Sequence, residues 1–167
     1  LPGLHGWRGH FGPQSGNALR LCKITLMEKL LRKIEQWNDA DEYSLCIRAI
    51  ELVPEAERGY QLTLLLGRAY SNLAVLGDCG AHSADDDVDQ ELLAHAIAIF
   101  EEIRDDGQND PFWHSRMAYA LFMTNDRTAD ALQYARRWLE LEPGNPDAEQ
   151  LYEEISKFCR GYVSKCF

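Results

Sequence analysis

The side chains in this sequence best suited to chemistry are a run of aspartates and a histidine–serine pair. Asp85, Asp87 and Asp89 alternate in the stretch ADDDVDQE, residues 84 to 91, as carboxylates do when they converge on a calcium ion. A calcium loop also needs a glycine at its sharp turn and a closing glutamate, and those positions hold Gln90 and Ala96. The acids stand directly before an apolar helical pattern, where a carboxylate caps free backbone N–H groups and meets the positive end of the helix dipole. Capping is therefore the expected role, and no metal site is expected. His114 and Ser115 have the types of a base and a nucleophile. As neighbours on a helix their side chains diverge by about 100° and cannot form a relay. His95 lies beside the small residue Ala96 and reads as a helix-flank residue, while His5 and His10 have no further ligand at suitable spacing. No GxSxG elbow, phosphate-cradling glycine loop or HExxH helix occurs. The five cysteines, Cys22, Cys46, Cys79, Cys159 and Cys166, are odd in number and widely spaced, with no CxxC pair. That pattern fits reduced structural thiols better than a disulfide framework or a zinc site. The expectation is a chain that is not an enzyme and needs no cofactor.

Composition points the same way. The chain has 167 residues, 46% hydrophobic and 26% charged, an ordinary globular balance with enough length to bury a core. No apolar run reaches membrane-spanning length, and LPGLHGWRGHFG lacks the continuous apolar core of a secretory signal, so a cytoplasmic location is expected. The net charge is −10, although the first 26 residues hold Arg8, Arg20 and Lys23 and no acid. A surface that acidic repels nucleic-acid phosphates and anionic lipid, and a basic or neutral protein partner suits it better.

The elements that position these groups are helices. Residues 1 to 24 read as a flexible glycine-rich leader or tag-like extension, with Gly3, Gly6, Gly9 and Gly12 at every third position but too few triplets for a collagen helix. From Thr25 the pattern turns helical: Leu26, Leu30, Leu31, Ile34 and Trp37 recur at spacings of three and four. A second helix runs from Tyr43 to Leu52 and stops at Pro54, and a third runs from about Tyr60 to Leu76. Gly77 to Asp87 forms a loop. Further helices are expected over Gln90–Arg104, from Pro111 to Thr124 behind an Asp110 cap, over Ala129–Leu141, and from Pro146 to about Phe158, with Gly161 as the stop. The count is seven helices and no strand, an all-α chain.

Three segments close alike: AIELVP at 49 to 54, IFEEIRDDGQNDP at 99 to 111 and WLELEP at 138 to 143, each between two helices. Leu66, Gly67 and Tyr70 match a Leu-Gly-x-x-Tyr signature, Ala96 and Phe100 follow as small and aromatic positions, and Ala131, Leu139, Leu141 and Pro143 repeat the close. In these features residues 25 to 158 resemble the tetratricopeptide repeat. The run Asp110, Pro111, Trp113, Arg116, Tyr119, Ala120 and Leu121 is similar to small bacterial members found near contact-dependent toxin and immunity systems. The long loop at 77 to 87 and the Met117–Ala118 pair in place of Leu-Gly depart from the pattern. The resemblance implies a right-handed superhelical stack of antiparallel helix pairs over 25–167, capped by the helix 146–158.

It also implies a site. The groove of such a stack is lined by side chains between the packing positions, which selects Arg68, Asn72, Phe112, Arg116, Tyr119 and Met123 to contact a protein or peptide partner. Two roles stay open for the arginines: pairing with a carboxylate of the partner, or with acids of the chain's own surface. The family's clamp of lysines and asparagines is not reproduced. Two other readings stand beside the scaffold: an oligomerisation module acting through the last helix and tail, and a metal-dependent hydrolase. Trp138 sits where these repeats prefer alanine, and Ala135 sits where they prefer an aromatic. The exchange conserves volume on one helix face, so Trp138 is expected to be buried towards Trp113 and Met117.

Overall fold

The computed structural model describes residues 14–81 and 87–163, so His5, His10, Asp85 and Cys166 lie outside it. Among the described residues the chain is all-helical: α1 Gln14–Asp39, α2 Tyr43–Glu51, α3 Glu55–Leu76, α4 Gln90–Glu102, α5 Arg104–Gly107, α6 Pro111–Phe122, α7 Thr128–Leu141 and α8 Pro146–Val163. Helices adjacent in sequence pack together from α1 through α4 and from α6 through α8, and α4 bridges to α6.

One break raises the count of α-helices from seven to eight, and two other boundaries move. Helix α1 begins at Gln14, inside the stretch read as a flexible leader, because the good helix formers Ala18, Leu19, Arg20 and Leu21 follow the last glycine there. The helix expected over 90–104 breaks at Ile103 (φ −105°, ψ 18°), and a single turn, α5, follows. Helix α8 runs through Gly161 to Val163; a glycine inside a helix costs about 1 kcal/mol and need not end it.

The stops work as the sequence suggests. Asp89 accepts a hydrogen bond from the Leu92 amide at 3.0 Å, the cap expected of that acidic run. Asp110 accepts from the Phe112 amide at 2.9 Å behind the first-turn Pro111. Gly59, at φ +61°, kinks α3 so that the long helix proper starts at Tyr60. Helix α2 has no side-chain cap of its own; Asp78, in the turn after α3, accepts from the Ser44 amide at 2.9 Å.

Two clusters form the core. Ile34, Cys46, Ile50, Leu62 and Leu66 gather between α1, α2 and α3, with Ile99 of α4. Leu93, Phe100, Trp113, Met117, Leu121, Leu151 and Ile155 gather between α4, α6 and α8, around the small residues Ala118, Ala131 and Ala135. Gly67 lets α3 and α4 approach closely, its backbone against the Phe100 ring. Gly107 plays the same part for α5, lying under the indole of Trp113, whose Nε1 donates to the Phe100 carbonyl at 3.0 Å.

Candidate functional site: a groove with two unpaired arginines

Helices α3 and α6 place two of the six expected groove residues, Arg68 and Arg116, against the ring of a third, Phe112. The guanidinium carbons of Arg68 on α3 and Arg116 on α6 lie 5.6 and 4.8 Å from the centre of the Phe112 ring. Arg116 is also 5.9 Å from the centre of the Tyr119 ring, on the next turn of its own helix. Asn72 and Met123 join Arg116 and Tyr119 around a cavity of about 370 Å³, completed by Ser71, Val75 and Leu76. The Asn72 amide is partly committed, since its Nδ2 donates to Asn38 Oδ1 at 3.2 Å and so ties α3 to α1. All six residues thus belong to one continuous surface.

Neither arginine has an acidic partner within 4 Å among the described residues, although the chain holds 27 acids. Both Nε atoms are buried with no hydrogen-bond acceptor. The reason is visible in the sequence. Four of the ion pairs, including Arg127–Asp130 and Lys157–Glu153, join residues three or four apart in sequence, within a helix or across its end. The corresponding neighbours of Arg68 are Leu64, Leu65, Ser71 and Asn72, and those of Arg116 are Phe112, Trp113, Tyr119 and Ala120. No helical neighbour can neutralise either charge. Burial, and then the adjacent positive charge of Arg68, lower the Arg116 guanidinium to about 10.

A second cavity of about 280 Å³ opens on the other side of Arg116 and Tyr119, where α7 meets α8. Phe112 and Ser115 share it with Trp138, Glu142, Asn145 and Asp147, four residues that helical spacing alone does not bring to the groove. Glu142 is held by its Oε2, which accepts from Trp138 Nε1 at 2.9 Å and Asn145 Nδ2 at 2.8 Å. Trp138 is 7% exposed and shares a core cluster with Trp113 and Met117, so its burial agrees with the volume exchange against Ala135. Its partner ring is Tyr119, at 6.3 Å, while Tyr134 takes the place against Trp113, at 5.5 Å. The indole is therefore a wall of the groove as well as core.

His114 and Ser115 do not form a relay. Ser115 Oγ donates to the Phe112 carbonyl at 2.7 Å, and His114 Nε2 lies 3.0 Å from the Gln108 carbonyl. A carbonyl only accepts, so Nε2 carries the proton and leaves Nδ1 as a buried acceptor without a donor. Burial lowers the affinity of this imidazole for a second proton. Among the described residues no group of three His, Cys, Asp or Glu side chains is placed to hold a metal ion, and no helix is long and apolar enough to cross a membrane.

No family model matches this sequence, and comparison with curated proteins and with solved structures returns no similar chain.

Proposed function

We propose that the chain is a non-enzymatic scaffold that holds a protein or peptide partner in the groove between α3, α6 and the α7–α8 turn, as in a tetratricopeptide-like stack. The observation that carries this reading is the pair Arg68 and Arg116. Two half-buried guanidiniums on one phenyl ring, unneutralised in a chain of net charge −10, suit an anionic group supplied from outside. The aromatic walls Phe112 and Tyr119 and the apolar Val75, Leu76 and Met123 provide the desolvated surroundings in which such a pair contributes to affinity. The engagement of Ser115 and His114 by backbone carbonyls supports binding over catalysis.

Affinity capture from the native cell, with the wild-type chain and an Arg68→Glu/Arg116→Glu variant compared by mass spectrometry, tests the reading. A set of proteins held by the wild type and released by the variant is expected. An unchanged set would overturn the groove assignment.

One observation favours a second reading, self-association through α8. Phe158 is 51% exposed, packs edge-on at 6.0 Å from Phe122 and borders a cavity of about 410 Å³ together with Cys159. Light scattering across a concentration series distinguishes it, because a strict monomer at high concentration removes this role.

A further inference from the structure

The groove is electrically polar along its length. One end is Arg68 and Arg116, with no acid within 4 Å among the described residues. The other end is the start of α8 and the turn before it, where Glu142 and Asp147 line the second cavity and Glu154 follows two turns further along the helix. None of these three acids has an ion-pair partner among the described residues. Tyr119 stands at the boundary. It lines both cavities, and burial first, then the charges of Asp147 and Glu154 against that of Arg116, raise the pKa of its hydroxyl. That of Arg116 is lowered by burial and by Arg68, and this guanidinium meets no acid among the described residues. The two ends thus leave each other unneutralised, and the two cavities that share Arg116 and Tyr119 join them into one surface.

A uniformly acidic ligand satisfies the arginines but meets the acids of α8 and the net charge of the chain. A uniformly basic ligand fits the acids but places a cation against two half-buried guanidiniums. A segment with one charge of each sign satisfies both ends and cannot be reversed without two like-charge contacts. Resting on the scaffold reading above, we infer that the occupant is a polypeptide segment that binds in one direction, with an acidic side chain between Arg68 and Arg116 and a lysine or arginine towards Asp147 and Glu154.

Selection of a random peptide library displayed on phage tests this, with the full chain as bait in three forms: wild type, Arg68→Gln/Arg116→Gln and Asp147→Lys/Glu154→Lys. Asp147 and Glu154 are exposed, so the last variant keeps the fold, which circular dichroism checks for all three. The wild type is expected to enrich peptides carrying an acid and a base in one fixed order. The arginine variant loses the acid, and the charge-reversed variant keeps the acid and exchanges the base for a second acid. A synthetic winner with its two charges interchanged binds at least about tenfold more weakly to the wild type. Enrichment of the acid alone, unchanged by the lysine substitutions, overturns the polarity and leaves the scaffold standing. Enrichment of the same peptides by all three forms overturns the groove itself.

Discussion

The Phe100 ring occupies the volume that a side chain on Gly67 would need: a Cβ built there meets Phe100 Cε1 at 2.5 Å and Cδ1 at 2.7 Å. The contact lies between α3 and α4, with Phe100 fully buried, so neither side can give way cheaply. Gly67→Ala is expected to destabilise the fold by about 1–3 kcal/mol through overpacking. Urea denaturation measures this, and a loss below about 0.5 kcal/mol would mean the helices separate easily at that point. Gly59 provides the contrast. A Cβ placed there meets nothing within 4 Å, so Gly59→Ala carries only the strain of φ +61°.

Asp110 joins two elements with one carboxylate. Oδ1 accepts from the Phe112 amide at 2.9 Å and Oδ2 accepts from the Tyr60 hydroxyl at 2.6 Å. Asp110→Ala removes a helix cap and leaves a tyrosine hydroxyl without its acceptor, an expected cost of about 1–3 kcal/mol. Because the two bonds share the carboxylate, Tyr60→Phe is expected to cost measurably in the wild type and almost nothing beside Asp110→Ala. Additive losses in that double-mutant cycle would contradict a direct coupling.

Arg116 behaves oppositely if its role is recognition. Its charge is half-buried, unpaired and next to that of Arg68, so the fold carries it at a cost throughout the range below about pH 10. For a base whose folded-state pKa is lowered, that cost is relieved only as pH rises through that value. Arg116→Met retains a flexible chain against Phe112 and is expected to leave stability unchanged or raise it by up to about 1 kcal/mol at neutral pH. A loss of more than about 1 kcal/mol would make the arginine a structural element.

His114 supplies the pH-dependent contribution. Its pKa is lowered in the fold, chiefly by burial, so the unfolded chain takes up a proton first as pH falls. The fold is at full stability above about pH 6.5, the unfolded value, and loses stability below it. Between pH 7 and 5 the wild type should lose more stability than His114→Gln. Equal slopes in denaturation midpoint against pH would show that the imidazole charges freely in the folded state.

Much of the fold was legible because its punctuation is local. Pro54, Asp89, Asp110 with Pro111, and Pro143 with Pro146 each act on their own helix terminus. The break at Ile103 was not legible, because the apolar period runs through it and Gly107 under Trp113 is a tertiary contact. The α3 and α6 residues of the site were selected by the family resemblance, not by spacing alone. Glu142 and Asp147 were not, since they reach the groove through the turn between α7 and α8, whose direction depends on how α8 packs. The unpaired state of Arg68 and Arg116 is written into the chain as the absence of acids three and four positions away. Whether an acid from another helix reaches them depends instead on how the helices pack.

Helix α3 has a consequence for how the molecule comes apart. Leu62, Leu66 and Ala69 belong to the cluster with α1 and α2, whereas Leu64 and Ala74 belong to the cluster with α4 and α6. A single backbone segment is thus cemented into both cores. Losing either core strips one face of α3 and weakens its hold on the other, so the two clusters are expected to melt in a single transition.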